Sequence, residues 1–159
     1  MERSSSTLRI ALIGSGRMGS FHGETVRRRL PGTRLATVVD PAPGAAEKLA
    51  AELGADRACT DAQQVWDDPA IDAVVIAAPA RFHTDLIVAA ARAGKAVLCE
   101  KPAGLSLAEL DRAIDAVRAA GVPLQVGFNR RFAPGLGRGA CAAGRWHVGH
   151  APVAAVGDP

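Results

Sequence analysis

A chain of 159 residues has room for one ordinary domain with a buried core, but not for two full domains. Its formal net charge of +3 is small. The one dense basic run, Arg27, Arg28 and Arg29, falls where a helix is predicted to end, a position that favours positive charge. We therefore interpret the run as a solvated helix end rather than as a nucleic-acid-binding patch, and we expect no nucleic-acid partner.

The cysteines and the N-terminal residues limit the cellular context. Cys59, Cys99 and Cys141 form no C-x-x-C pair, which argues against a disulfide framework or a zinc site and favours reduced thiols. Residues 1–7 lack the apolar segment of a signal peptide, and no apolar run reaches the roughly 18 residues that a membrane span needs. We therefore expect a cytoplasmic protein with no membrane partner.

Strand and helix patterns alternate from the start of the chain. Residues 8–13 form a short run that is rich in branched residues, and it predicts a buried strand that stops at a glycine cluster. A helix is predicted over residues 16–30 and a second strand over 34–39. The next helix is predicted over residues 45–53, with Gly54 as its C-terminal stop.

The alternation continues through the middle of the chain. After a shorter predicted helix over residues 61–66, residues 71–77 form a near-continuous apolar run, typical of a strand in a parallel sheet covered on both faces. The remaining predicted elements are a helix over 84–93, a strand over 96–99, a helix between Ser106 and Gly121 and a strand over 123–128.

This alternation predicts βαβ units and an α/β fold of the Rossmann type, a doubly wound parallel sheet with helices on both faces. Beyond Phe132 the regularity is lost, because closely spaced glycines between residues 135 and 149 interrupt any helix. We therefore assign residues 1–128 to a dinucleotide-binding domain. Residues 129–159 are interpreted as a stub that leads into a missing substrate domain.

The first chemical signal is a glycine motif between the first predicted strand and helix. The G-x-G-x-x-G pattern permits a tight turn, close approach of the backbone to a pyrophosphate, and close packing of the helix on the strand. The N–H groups at the helix N-terminus provide hydrogen bonds to that pyrophosphate. The cofactor-binding candidates in this motif are Gly14, Gly16, Arg17, Met18 and Gly19.

Asp40 is the second candidate, because it ends the second predicted strand, a little beyond the roughly 20-residue spacing expected of a ribose-binding acid. Its carboxylate can accept hydrogen bonds from both hydroxyls of the adenosine ribose, and it repels a 2′-phosphate. The sequence therefore predicts NAD rather than NADP as the cofactor. The alternative is a turn aspartate before Pro41.

Lys101 lies in a Glu-Lys-Pro segment directly after the strand predicted over residues 96–99. Ligands of doubly wound sheets bind beyond the carboxyl ends of the strands, so Lys101 is placed to meet the nicotinamide and a substrate. Its position alone is equally compatible with a lysine in a surface loop.

Several motifs in this order resemble the Gfo/Idh/MocA oxidoreductase family, and within it the inositol 2-dehydrogenases. They are the glycine motif with Phe21 and His22, the Ala78-Pro79 pair with His83, the run over residues 99–102, and the run over residues 127–132. The resemblance implies a two-domain enzyme that moves a hydride between NAD(P) and a hydroxyl carbon of a sugar, inositol or related polyol.

The resemblance also implies roles for individual residues. Lys101 matches the family's substrate-contacting lysine, which is hydrogen-bonded near the reacting hydroxyl. Residues implied to line the nicotinamide side are Ala78, Pro79, His83 and Glu100. On the substrate side, the residues implied to mark the crossing toward the second domain are Asn129 and Arg130.

One part of the family pattern has no counterpart here. The family's general base is a histidine in an Asp-x-x-x-His arrangement of the second domain, and no such pair follows Lys101. His147 and His150 lack that spacing, and as a metal pair they lack a third ligand, so we interpret them as loop residues and predict no metal. We expect a truncated dehydrogenase that binds NAD without turnover. Its uncovered apolar strand ends predict a chain that either self-associates, as a homo-oligomer, or is marginally stable.

Two other functions stay open at this point. The chain can be a catalytically inactive nucleotide-binding or interaction module, completed by another polypeptide. It can also be an intact enzyme with unrelated chemistry, although the sequence contains no nucleophile–base arrangement that points to one.

Overall fold

The computed structural model describes residues 7–132. The chain up to Gly127 forms one compact unit, and Phe128 begins a second, of which a short 3-10 helix, Asn129–Phe132, is described. His147, His150, Cys141 and most of the predicted stub lie outside the described residues. No helix in the described part of the chain is long and apolar enough to cross a membrane.

Strands and helices alternate through the first unit, as the sequence predicts. The strands within the described residues are β1 (Leu8–Ile13), β2 (Thr33–Val39), β3 (Arg57–Cys59), β4 (Ala73–Ile76), β5 (Ala96–Cys99) and β6 (Leu124–Val126). The helices are α1 (Arg17–Arg29), α2 (Ala45–Leu53), α3 (Gln63–Trp66), α4 (His83–Arg92) and α5 (Leu107–Ala120), with a 3-10 turn over Ala80–Phe82.

The six strands form one parallel sheet in the order β3-β2-β1-β4-β5-β6. The chain begins in the middle of the sheet, builds outward to β3, then crosses back to β4 on the other side of β1. This order is that of dinucleotide-binding sheets, in which ligands bind at the reversal point beyond the carboxyl ends of the strands. The predicted doubly wound fold is therefore confirmed.

β3 is the one strand that the sequence pattern does not predict. Its three residues, Arg57–Cys59, show neither alternation nor an apolar run, and of them only Cys59 is buried. The strand exists because β2 presents an open edge, with which all three residues pair in parallel. A strand this short is thus decided by its neighbour and not by its own composition.

Each face of the sheet is covered by its own helices, because alternate residues of a strand point in opposite directions. Ile10 and Leu12 of β1 pack in a core cluster with α1 and α2. Ala11 and Ile13, between them, belong to a second cluster formed with α3, α4 and α5. The near-continuous apolar strands are thus explained by burial on both sides.

The carboxyl ends of the strands lie level with one another. Ile13 at the end of β1 is paired with Val39 on one side and with Ile76 on the other, and Ile76 is paired with Cys99. The residues that follow these strands therefore meet along one edge of the sheet. They are Gly14, Asp40, Ala77 and Glu100.

Lys95 is a buried cation that holds the turn leading into β4. The residue is 5% exposed, and its ammonium donates to the carbonyl oxygens of Asp68 at 2.6 Å and Ile71 at 2.9 Å. A buried ammonium is costly unless it is fully hydrogen-bonded, so these two carbonyls are what makes the position tolerable. The interaction fixes the entry of β4, whose far end reaches the ligand-binding edge.

We predict that Lys95→Met lowers the free energy of unfolding by about 2–3 kcal/mol, because two backbone carbonyls lose a charged donor while the methionine fills the same space. Urea denaturation followed by circular dichroism measures the change. Lys48→Met, at an exposed position of α2, is the matched control and should shift stability by less than about 0.5 kcal/mol. Equal effects of the two substitutions would contradict this assignment.

Candidate functional site

A groove of about 800 Å³ opens at the reversal point between β1 and β4. Its walls come from the glycine loop after β1, the ends of β2 and β4, the loop after β3 and the first turns of α4. The predicted site residues that line it are Gly14, Gly16, Arg17, Met18, Asp40, Ala78 and Pro79. The tertiary structure thus brings together candidates that are more than 60 residues apart in sequence.

The three glycines of the loop meet three different surroundings. Gly14 has a φ of +99°, and a Cβ there would lie 2.7 Å from the carbonyl oxygen of Ala77. A Cβ on Gly19 would overlap the carbonyl oxygen of Gly14, since α1 packs directly on the loop. At Gly16, by contrast, a Cβ would meet no protein atom within 4 Å. The backbone of Gly16 is therefore open to the groove.

The N-terminus of α1 faces this opening with its N–H groups uncapped. Gly16 is the N-cap residue, no side chain caps the helix, and its first turn contains no acidic residue. Such a helix end offers N–H donors and partial positive charge to an anion. The loop therefore fits the pyrophosphate of a dinucleotide.

Asp40 is held by the loop that it faces. Oδ2 of Asp40 accepts hydrogen bonds from the Ser15 N–H at 2.8 Å and the Ser15 hydroxyl at 2.7 Å, and Oδ1 accepts from the Ala42 N–H at 2.9 Å. Burial raises the pKa of the Asp40 carboxyl, but the three hydrogen bonds together lower that pKa by more. The pKa therefore lies below its ordinary value of 3.8. The side chain is a carboxylate at neutral pH.

These hydrogen bonds limit what else Asp40 can accept. A carboxylate has about four lone-pair sites, and three of them are filled by Ser15 and Ala42. One ribose hydroxyl can therefore bind at Oδ1 directly. Recognition of both hydroxyls, which the sequence suggested, requires the Ser15 hydroxyl to leave Oδ2.

His83, predicted on the nicotinamide side, is buried at the start of α4 with only 1% of its surface exposed. Its Nδ1 lies 2.7 Å from the carbonyl oxygen of Pro102, and its Nε2 lies 2.7 Å from that of Ala78. Both ring nitrogens are thus engaged by backbone. The geometry places His83 behind the groove wall, where it joins two loops, and not at the groove surface.

Glu100 is also engaged by the protein itself. Its Oε1 lies 2.8 Å from Nε2 of His22 on α1, and the two side chains are only 12% and 18% exposed. Its Oε2 accepts the backbone N–H of Lys101 at 3.3 Å. The Lys101 side chain that follows is exposed, at the same edge of the sheet.

Cys99 stands directly before this segment and is not a nucleophile. Burial, with a smaller effect of the neighbouring Glu100 carboxylate, raises the pKa of the Cys99 thiol to about 12. The thiol therefore stays protonated at neutral pH, and thiolate chemistry at this position is excluded.

The remaining predicted residues, Asn129 and Arg130, lie in the 3-10 helix of the second unit. The structure also adds residues that the sequence analysis did not assign. Arg81 and Phe82 line the groove, with the guanidinium 4.5 Å from the ring centroid. Ser15 and His22 belong to the segment of the glycine motif. Their partners Asp40 and Glu100 are 25 and 78 residues away, so no local pattern marks the two pairs.

Comparison with known proteins identifies relatives over the same region. Residues 8–128 match the Gfo/Idh/MocA oxidoreductase family, described as having an NAD-binding Rossmann fold. The scyllo-inositol 2-dehydrogenase (NAD(+)) of Bacillus subtilis is 44% identical over 127 residues, which are 80% of this chain and 37% of that protein. The chain thus spans less than two fifths of the length of this curated relative.

Solved structures of inositol dehydrogenases have the same fold over this part of the chain. Myo-inositol 2-dehydrogenase from Lactobacillus plantarum superposes with a TM-score of 0.77 at 32% identity, over 83% of this chain and 39% of that one. Scyllo-inositol dehydrogenase from Lactobacillus casei, with bound NAD(H) and scyllo-inositol, gives 0.78 at 28% identity, over 84% and 39%. With a matched family profile over most of the chain and the glycine loop geometry, this protein belongs to the Gfo/Idh/MocA oxidoreductase family and contains its NAD-binding Rossmann fold.

Proposed function

We propose that the groove binds NAD(H) and that the chain is the cofactor-binding part of an oxidoreductase acting on a CH–OH group of an inositol, sugar or related polyol. The observation that carries the proposal is the contrast among the three glycines. Gly14 and Gly19 leave no room for a side chain, whereas Gly16 opens on the groove beside an uncapped helix end.

Each part of the groove has a proposed role. The backbone of the loop and the first turn of α1, with Arg17 and Met18, would hold the pyrophosphate, and Asp40 would accept a ribose hydroxyl. Ala78 and Pro79 line the wall formed by the turn after β4. Bound NAD would supply the hydride acceptor or donor of the reaction.

Lys101 is proposed to contact the substrate hydroxyl from the end of β5. Its side chain is exposed at the edge where the strand ends converge, and a protonated ammonium donates hydrogen bonds that orient an oxygen. The polyol class comes from the names of the relatives, which are inositol dehydrogenases. Residues 1–128 are proposed as the cofactor domain, and residues 129–159, with Asn129 and Arg130, as the passage toward a substrate domain.

The glycine assignment predicts opposite outcomes for two substitutions. Gly16→Ala should change the free energy of unfolding by no more than about 1 kcal/mol, because a weaker N-cap is offset by a less flexible unfolded chain. It should weaken NADH binding about tenfold or more, corresponding to ~1.4 kcal/mol, because the methyl group projects where the pyrophosphate approaches. Calorimetric titration and thermal unfolding of the same samples measure both quantities.

Gly19→Ala is the matched comparison, since its Cβ would overlap backbone and not the groove. It should destabilise the fold by about 1–3 kcal/mol or more. Unchanged NADH affinity in a well-folded Gly16→Ala protein would refute the placement of the pyrophosphate.

Asp40 predicts a preference for NADH over NADPH, because its carboxylate repels a 2′-phosphate. Asp40→Asn should reduce the ratio of the NADPH dissociation constant to the NADH dissociation constant by about tenfold or more, because the charge is removed beside the proposed ribose site. Asp115→Asn, at an exposed position of α5, is the control for net charge and should leave the ratio unchanged. Tighter binding of NADPH than NADH by the unsubstituted protein would contradict the proposal.

A protein of these 159 residues should bind NADH yet give no detectable oxidation of inositols. A positioned general base contributes about 10²–10⁴-fold, and the sequence printed here has no Asp-x-x-x-His motif after Lys101. Holding the substrate in place is worth ~7–11 kcal/mol in favourable cases, and the matched part of this chain is only 37% of the Bacillus subtilis relative. The assay follows NADH absorbance with a panel of inositols. Turnover by the unsubstituted protein that Lys101→Ala abolishes would contradict the prediction and show that these residues suffice for catalysis.

A fusion of residues 1–128 to the rest of the Bacillus subtilis relative separates a working cofactor domain from an inactive binding module. We expect NAD-dependent oxidation of scyllo-inositol by the fusion, abolished by Lys101→Ala and retained in Lys48→Ala. A folded fusion that binds NADH without turnover would favour the module instead.

A further inference from the structure

Lys101 has a free side chain but firmly held neighbours. Among residues 7–132, its ammonium makes no hydrogen bond or ion pair, so nothing at that end of the side chain determines its position. The residues on either side of it, Glu100 and Pro102, are each bound by a histidine from a different helix. The backbone that carries Lys101 is therefore held from two sides.

The first contact is made by His22 of α1. Its Nε2 and Oε1 of Glu100 are 2.8 Å apart, and both side chains are mostly buried. Glu100 fits tightly against the end of β6, since a Cβ on Gly127 would lie 3.3 Å from the same carboxylate oxygen. Its other oxygen accepts the N–H of Lys101 itself. The His22 contact is thus transmitted to the lysine backbone through one carboxylate.

The second contact is made by His83 of α4, whose ring lies between the carbonyl oxygens of Pro102 and Ala78 at 2.7 Å each. A carbonyl oxygen only accepts, so both contacts are hydrogen bonds only when both ring nitrogens donate, an arrangement that gives the ring a positive charge. The positive end of the α4 dipole opposes this charge, and two charge-assisted hydrogen bonds favour it. The charged residues on the segments that contact the ring are Arg81, Asp85, Glu100 and Lys101.

We propose that His22 and His83 form a histidine clamp that fixes Lys101 at the edge of the cofactor groove, with His83 donating from both ring nitrogens. The clamp rests on the proposed function of Lys101. His83 also ties the lysine loop to Ala78 in the groove wall, so that the loop and the groove are held as one body. Both histidines are positioning residues that act through Glu100 and Pro102.

The three lysines of the chain allow a test with internal controls. Limited acylation with an amine-reactive ester, read by mass spectrometry, compares Lys101 with Lys48, which is exposed on α2. Lys95 is buried and reports unfolding if it becomes labelled. In the unsubstituted protein we expect saturating NADH to lower the Lys101-to-Lys48 labelling ratio roughly fivefold, because the loop holds one arrangement beside the groove.

His22→Leu should remove most of that protection, because the leucine cannot donate to Glu100. His22→Gln should restore it, since the amide N–H₂ can still donate, and Lys95 should stay unlabelled in both proteins. Full protection in a folded His22→Leu protein that binds NADH would overturn the clamp, as would NADH binding to the unsubstituted protein without any protection. Absence of NADH binding, measured by titration, would instead refute the proposed function.

His83 is too buried for substitution alone to be informative, so its role is tested on the unsubstituted protein. Nitrogen-15 spectra of the imidazole rings at neutral pH should show attached protons on both nitrogens of one histidine, assigned through its contacts to Pro102. A His83 ring with a single attached proton would overturn its part in the clamp.

Discussion

The close approach of α1 to the loop after β1 is the contact on which the ligand-binding edge depends. A side chain at Gly19 would overlap the Gly14 carbonyl, and one at Gly14 would press on the Ala77 carbonyl, so β1, β4 and α1 meet backbone to backbone. The helix begins close to the strand end, so its uncapped first turn lines the groove. Gly16, between these two close contacts, has no protein atom within 4 Å of a Cβ position and lines the groove.

Asp40 and the glycine loop then form one unit. The Asp40 carboxylate, which we propose to favour NAD over NADP, is the same one that accepts the N–H and hydroxyl of Ser15. The proposed ribose recognition would therefore be coupled to the loop conformation, and a substitution at Asp40 would act on both. This coupling explains why the pKa of Asp40 is lowered in spite of its partial burial.

The far side of the groove is organised by a different kind of contact. His22, His83 and Glu100 belong to no single local motif. They lie near one another because α1, α4 and the end of β5 are all packed at the same edge of the sheet. Their hydrogen bonds hold the loop of Lys101 while leaving its ammonium in solvent. In the proposed function, this exposed side chain on a held backbone would position a substrate with little loss of entropy.

The sequence by itself determined the alternation of strands and helices, the position of the glycine loop, and the placement of Asp40 after β2. Each of these follows from local periodicity or from spacing along the chain. It did not determine β3, whose three residues form a strand only because β2 offers an edge. The sequence also could not show that Pro79 lines the groove while His83 is buried behind the groove wall. Such assignments depend on contacts between residues far apart in sequence, like those of Ser15 with Asp40 and His22 with Glu100, and only the tertiary structure creates them.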